Sequence, residues 1–145
     1  MKKTDYLSTL FVGIDIGSKT NVVSALNFSQ DYLVRMVPVK NAKGGVELIE
    51  QLLCEALEKD PEIKRVVIAL ESTGYYGFHT ANYLSSSQKL LPFNVKVYCL
   101  NPKVVKNYKE SFIDLPKNDG IDSFVIADYA RCDRIKILLR EQDGY

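Results

Sequence analysis

The sequence predicts an α/β domain built on a mixed β-sheet, and three observations predict it. Three β-rich runs follow one another between residues 10 and 40, spaced for hairpins and too close for crossovers. The run Val66-Val67-Ile68-Ala69-Leu70 is continuously apolar, as in a strand buried on both faces. Between them, Ile49, Leu52, Leu53, Ala56 and Leu57 recur at i, i+3, i+4, i+7 and i+8, the stripe of an amphipathic helix. The resulting order, β-β-β-α-β-α-β-α, is that of a layered α/β domain with an antiparallel meander at its start.

Each element follows from local signals. Residues 1–9 form a polar lead-in, and the first strand covers about Leu10 to Ile16. Gly17 breaks it, and a second β-rich run extends from Asn21 to Phe28. Ser29-Gln30-Asp31 is a turn, and a third strand runs from Tyr32 to Lys40 with Pro38 marking it as an edge. Gly44-Gly45 leads into the first helix, which Asp60-Pro61 ends. Glu71 closes the apolar fourth strand, and a second helix spans about Tyr76 to Ser86. Val95 to Leu100 is the fifth strand, and Asn101-Pro102 opens a third helix with proline in its first turn. Leu115-Pro116 interrupts that stretch. Asn118 or Asp119 then caps a further helix through about Ala130, with Phe124, Ala127 and Ala130 inward.

Composition narrows the function classes. The chain has 145 residues, 46% hydrophobic and 26% charged, which fits one domain with a real core. No apolar run reaches membrane-spanning length and no signal peptide follows Lys2 and Lys3, so a cytoplasmic protein is expected. Cys54, Cys99 and Cys132 are far apart, and with His79 as the single histidine they do not make a zinc site. Ser72 and Ser85 to Ser87 have no base partner for serine-hydrolase chemistry. Net charge is +1, but basic residues gather in two segments, Lys103 to Lys117 and Arg131 to Arg140, around the acidic Asp119 to Asp128 stretch. Such flanks suit a polyanion held over metal ions, or are solvated helix faces.

The carboxylates carry the chemistry. Asp15 lies at the end of the first strand, in Gly13-Ile14-Asp15-Ile16-Gly17, where the glycines leave room for a phosphate or metal to approach the backbone. Equally, Asp15 accepts turn amides and Gly17 only bends the chain. Glu71 ends an otherwise apolar strand, the first after a crossover helix. If that strand lies parallel to the first, both carboxylates emerge at the edge where open α/β sheets place ligands. Asp119 and Asp122 are i and i+3 at a helix start, sharing one face, although capping competes as the role of Asp119. Asp128 falls on another face and is read as solvated. Carboxylates gathered on one edge repel unless a cation sits between them, and oxygen ligands without histidine or cysteine select magnesium or manganese, two ions in phosphodiester chemistry.

These residues resemble a known family. Asp15 in its Gly-x-Asp-x-Gly piece, Glu71-Ser72-Thr73-Gly74-Tyr75-Tyr76, Asn101-Pro102 and Lys117-Asn118-Asp119-Gly120-Ile121-Asp122 recur in the same order in the DEDD insertion-sequence transposases. That family includes the bridge-RNA-guided recombinases and the pilin-gene DNA invertase. The resemblance covers residues 1–145 as the family's N-terminal domain. It implies a ribonuclease-H-like (RuvC-like) fold: a mixed five-stranded sheet, its first three strands antiparallel, flanked by helices. It also implies a magnesium-dependent DNA recombinase in which Asp15, Glu71, Asp119 and Asp122 form an acidic tetrad that binds metal and cleaves and exchanges strands during transposition. Lys19, Lys103, Lys106, Lys117 and Arg131 are the nucleic-acid-binding candidates. The implied partners are DNA, a structured guide RNA, a C-terminal domain carrying a nucleophilic serine, and a second copy of the chain. Asn118 and Ser123 depart from the family's usual Thr and Ala, and no stretch matches the serine-bearing domain, which is expected to be absent.

Three other readings remain open on the sequence. Asp15-Ile16-Gly17-Ser18-Lys19-Thr20 also resembles the first phosphate motif of actin-like ATPases and sugar kinases, which need a second lobe. A stand-alone Holliday-junction-resolvase-like nuclease would use the same carboxylates. A binding module with relic carboxylates would show no response to magnesium.

Overall fold

In the computed structural model, which describes residues 3–71 and 77–132, a short 3-10 helix (Lys3–Ser8) leads into β1 (Thr9–Ile16), β2 (Thr20–Leu26) and β3 (Tyr32–Lys40). Helix α1 (Lys43–Lys59) crosses over to β4 (Arg65–Glu71), and α2 (Phe78–Ser85) leads to β5 (Lys96–Leu100). Helices α3 (Pro102–Glu110) and α4 (Ile121–Arg131) follow. The strands form one five-stranded sheet in the order β3-β2-β1-β4-β5. β1 pairs antiparallel with β2, as β2 does with β3, while β4 runs parallel to both β1 and β5. This is the mixed sheet, antiparallel in its first three strands, that the sequence predicts. Pro38 sits on β3, an edge strand, where a missing donor is tolerated.

Strand parity divides the core into two layers. Leu10, Val12, Ile14 and Ile16 of β1 join Val66, Ile68 and Leu70 of β4 under α1. Phe11 of β1 and Val67 and Ala69 of β4 face the other way and pack with Val105 of α3 and Val125, Ile126 and Tyr129 of α4. By the same alternation Asp15 and Glu71 belong to the α4 face. Gly13, between Phe11 and Asp15 on that face, lies directly against the backbone of α4. A β-carbon there would lie 2.2 Å from the Ser123 carbonyl oxygen and 2.3 Å from the Ala127 nitrogen. The hydroxyls of Ser24 on β2 and Ser123 on α4 meet at 2.7 Å in the same buried layer.

Several local expectations change. Gly13 makes room for a helix, not for a ligand. Gly17 makes the turn: its amide donates to Thr20 O at 3.1 Å and to Asn21 Oδ1 at 3.2 Å. Neither Asn118 nor Asp119 caps α4. The N-cap is Gly120, at φ +88°, where a β-carbon would meet Val22 Cγ1 at 2.7 Å. A left-handed residue pressed against a strand selects glycine and leaves no side chain to cap with. The third helix begins as expected, with Asn101 Oδ1 accepting from Lys103 N at 2.9 Å and Pro102 in its first turn. It stops at Glu110, ahead of Leu115-Pro116. Ser72 to Tyr76, including the tyrosines of the Glu71 motif, lie outside the described residues, as do Arg134, Lys136 and Arg140.

Candidate metal and nucleic-acid site

β1 and β4 lie side by side and in register, so that Asp15 stands directly opposite Glu71 at the carboxyl ends of two parallel strands. Neighbouring strands are about 4.8 Å apart, which puts these two carboxylates within reach of one ion. Asp122 enters from the first turn of α4, over the same face. The positive end of that helix favours its charge. The contact at Gly13 and the Ser24–Ser123 hydrogen bond fix how close this turn comes to the strand ends.

Asp15 and Glu71 both feel burial and neighbouring charge. Burial pushes the Asp15 carboxyl above its ordinary range, the Asp122 charge pushes it further, and Lys109 pulls it back. Glu71 is raised first by burial, then by Asp15 and Asp122, again with Lys109 opposing. The turn amide that was a candidate partner for Asp15 goes instead to Thr20 and Asn21. Lys109, in the last turn of α3, places its Nζ 2.7 Å from Asp122 Oδ1. That oxygen is shielded from water and receives no hydrogen bond, so the ionic contact is what satisfies it. Among the described residues no three His, Cys, Asp or Glu side chains are already gathered closely enough to hold an ion.

Asp119 stands apart from this trio. Because α4 starts at Ile121, the i, i+3 helical relation between Asp119 and Asp122 does not exist. Asp119 is exposed and lines a groove of about 740 Å³ together with Lys106, Lys109, Phe112, Leu115 and Lys117. Lys103 is exposed on α3, and Lys19 is exposed in the β1–β2 turn, at the same end of the sheet as Asp15. Arg131 differs from these lysines. Its Nε donates to Asp128 Oδ1 at 2.7 Å and its Nη1 to Phe28 O at 3.3 Å. His79 is exposed on α2, and the Tyr83 hydroxyl donates to Glu50 at 3.2 Å across the opposite layer.

Asp128 is not solvated. It is 2% exposed and accepts from Tyr108 Oη at 2.7 Å, Arg131 Nε at 2.7 Å and Gln30 Nε2 at 2.9 Å. Sequence reasoning missed this network, although a signal was present: Asp128 interrupts the apolar run Val125-Ile126-Ala127 and Tyr129-Ala130, with Arg131 three residues on. A carboxylate there must find partners. Lys109 was visible as one of several basic residues, but nothing local singles it out, since its partner arrives from another helix.

No curated protein matches the chain at a significant level. A Thermus thermophilus RuvC, solved in complex with a Holliday junction substrate, is similar in fold: TM-score 0.55 at 15% identity, over 88% of this chain and 96% of that one. A ROK hexokinase from the same organism overlaps partially, at TM-score 0.34 and 18% identity, over 63% of this chain and 35% of its own. The sheet order, the crossover and the RuvC likeness make the fold ribonuclease-H-like. The family profile of the IS110-type DEDD transposases matches residues 12–143. With that match running from β1 through α4 and beyond, the chain belongs to the DEDD transposase family.

Proposed function

We propose that Asp15, Glu71 and Asp122, joined by Asp119 from the adjoining loop, bind divalent metal, magnesium or manganese, and that this site cleaves and exchanges DNA strands during transposition of an insertion sequence. One observation carries the reading. Three carboxylates from β1, β4 and α4 converge on one sheet edge, and the first two have raised pKa values, first because of burial and then because of neighbouring negative charge. Such a cluster is costly to build unless a cation uses it. The donor set fits a hard ion, being all oxygen, and an ammonium group already stands against Asp122. Bound there as a pair, the ions would clamp the attacking and leaving oxygens of a phosphodiester.

The chain's own residues supply the rest. Asp15 and Glu71 sit on rigid strand ends and define the floor. Asp122 closes the site from the helix. Lys106 and Lys117 in the groove, with Lys103 and Lys19 beyond, are placed to take backbone phosphates without reading sequence. Arg131 holds Asp128 first, so its proposed part in nucleic-acid binding is the smallest of the set. The RuvC of similar fold was solved with a junction substrate, which supports DNA as the partner. A structured guide RNA, a serine-bearing domain and a second copy of the chain complete the proposed partners. The cytoplasm is the proposed setting, and among the described residues no helix is long and apolar enough to cross a membrane.

Titration with magnesium and manganese, followed by thermal unfolding, tests the site. Wild type should melt at rising temperature as metal is added, by mass action on the folded state, worth about 2.7 kcal/mol at a hundred times the dissociation constant. Asp15→Asn should lose that response. An unchanged response in Asp15→Asn, or none in wild type, would remove the assignment.

A further inference from the structure

Lys109 is the one cation in ionic contact with the carboxylate trio among the described residues. Its Nζ lies 2.7 Å from Asp122 Oδ1, an oxygen shielded from solvent that receives no hydrogen bond. A magnesium ion on that same oxygen, at about 2.1 Å, would stand no more than about 4.8 Å from the ammonium. Two such charges repel at that distance, so each disfavours the other at Asp122.

The helix that carries Lys109 is anchored, while its side chain is half exposed. Tyr108, the preceding residue, donates to buried Asp128 at 2.7 Å and stacks edge-on against Tyr129 at 5.4 Å. Val105, one turn earlier, is buried. Lys109 itself is 43% exposed, and its partner Asp122 is 39% exposed, so the ammonium can leave without moving α3. It would leave into the groove that it already lines with Lys106 and Lys117. Released there, it becomes another phosphate ligand.

We propose that Lys109 is a tethered counter-ion that competes with the divalent metal for Asp122, and that the metal enters by displacing it onto a nucleic-acid phosphate in the adjoining groove. The inference rests on the metal reading above and adds a coupling to it. Without DNA, Lys109 weakens metal binding. With DNA, a phosphate stabilises the displaced ammonium, and metal and nucleic acid favour each other's binding by the same factor.

The test is a magnesium titration by thermal unfolding of wild type, Lys109→Met and Asp122→Asn, first without DNA and then with a short duplex. Methionine keeps most of the stem and removes the charge at a half-exposed helical position, so the fold should persist, and the metal-free melt reports it. Without DNA, the magnesium midpoint of Lys109→Met should fall on the order of tenfold below wild type, while Asp122→Asn should respond weakly. A merely structural lysine would not tighten metal binding when removed. An equal or higher midpoint in Lys109→Met, with wild type responding, overturns the competition and leaves the metal reading standing. No response in any of the three overturns both. Added duplex should lower the wild-type midpoint more than that of Lys109→Met, and equal shifts overturn the hand-off to phosphate.

Discussion

Two acidic regions share helix α4, and they are built in opposite ways. Asp128, near its C-terminal end, is almost wholly buried and accepts from Gln30, Tyr108 and Arg131, in three different parts of the chain, as well as from the Cys132 thiol. Asp122, in its first turn, is more exposed, yet one of its oxygens lacks a hydrogen bond, and it lies in the field of two further carboxylates. The deeper carboxylate is the contented one. Burial alone therefore does not mark a candidate functional acid; incomplete hydrogen bonding in the field of other carboxylates is the better pointer. Asp128 fastens α3 and the β2–β3 turn to α4 through Tyr108 and Gln30, and that fastening holds the helix which presents Lys109. One region is structure, and the other is structure left incomplete.

The sharpest way to break this contrast is Asp128→Ala. It takes the shared carboxylate away from Arg131 and the Tyr108 hydroxyl together, and removing one member of a buried ion pair costs about 3–5 kcal/mol. Chemical denaturation should read that loss, and a cost under 1 kcal/mol would mean Asp128 is not the fastening it looks to be. Next comes Gly13→Ala, whose new methyl would collide with backbone atoms of Ser123 and Ala127. Backbone cannot swing aside as a side chain can. We expect about 3 kcal/mol of destabilisation, the upper end for overpacking, together with weaker metal binding as Asp122 is levered away from Asp15. Gly13→Ala with native stability and native metal response would show that α4 has slack at this contact.

How much of this was legible beforehand follows the same division. The strand ends were legible. Apolar runs fix β1 and β4, the crossover helix makes them parallel, and strand parity then places Asp15 and Glu71 on one face. The helix start was not. Side-chain capping rules point to Asn118 or Asp119, but Val22 presses on Gly120 and a left-handed glycine takes the position. That shift of the helix start separates Asp119 from Asp122, which local spacing had put together. Gly13 was legible as a place where something comes close, but not as to what: a ligand and a helix make the same demand on a residue without a β-carbon. Asp128 was misread because helical angle alone says nothing about which faces a neighbouring helix and turn will cover.

A smaller effect, opposite in sign, is expected of Asp15→Asn without metal. Asp15 and Glu71 have folded pKa values raised above their ordinary 3.8 and 4.5. Below those values both states are protonated and nothing is lost. As pH rises, the unfolded chain gives up these protons first while the native protein holds them, so the contribution of these two groups to stability falls through the window up to the raised values and stays lower above it. Asp15→Asn should flatten this fall and leave the metal-free protein more stable at neutral pH, by less than about 1 kcal/mol once solvent around these half-buried groups is allowed for. Added magnesium should reverse the order of the two melting temperatures. Metal-free melts from pH 3 to pH 8, on the order of one unit apart, would read it. A wild type that loses no stability relative to Asp15→Asn as pH rises across the window would contradict the charge crowding on which the site rests.

The least change in stability is expected where the basic residues are concerned, and there the contrast can be tested on cations instead of carboxylates. Arg131 is held by Asp128, whereas Lys106 and Lys117 are exposed along the groove. Lys106→Ala and Lys117→Ala should leave the unfolding midpoint within about 0.5 kcal/mol of wild type. Each should weaken duplex binding evenly across sequences and lower the slope of log affinity against log salt by about 1. Arg131→Ala should do the reverse, destabilising the fold by leaving Asp128 short of a donor while changing the salt slope little. The pattern separates a cation needed by the protein from one available to a ligand. If Arg131→Ala lowers the salt slope as the lysine variants do and leaves the melt untouched, its pairing with Asp128 gives way to phosphate, and the basic face extends from the groove along α4.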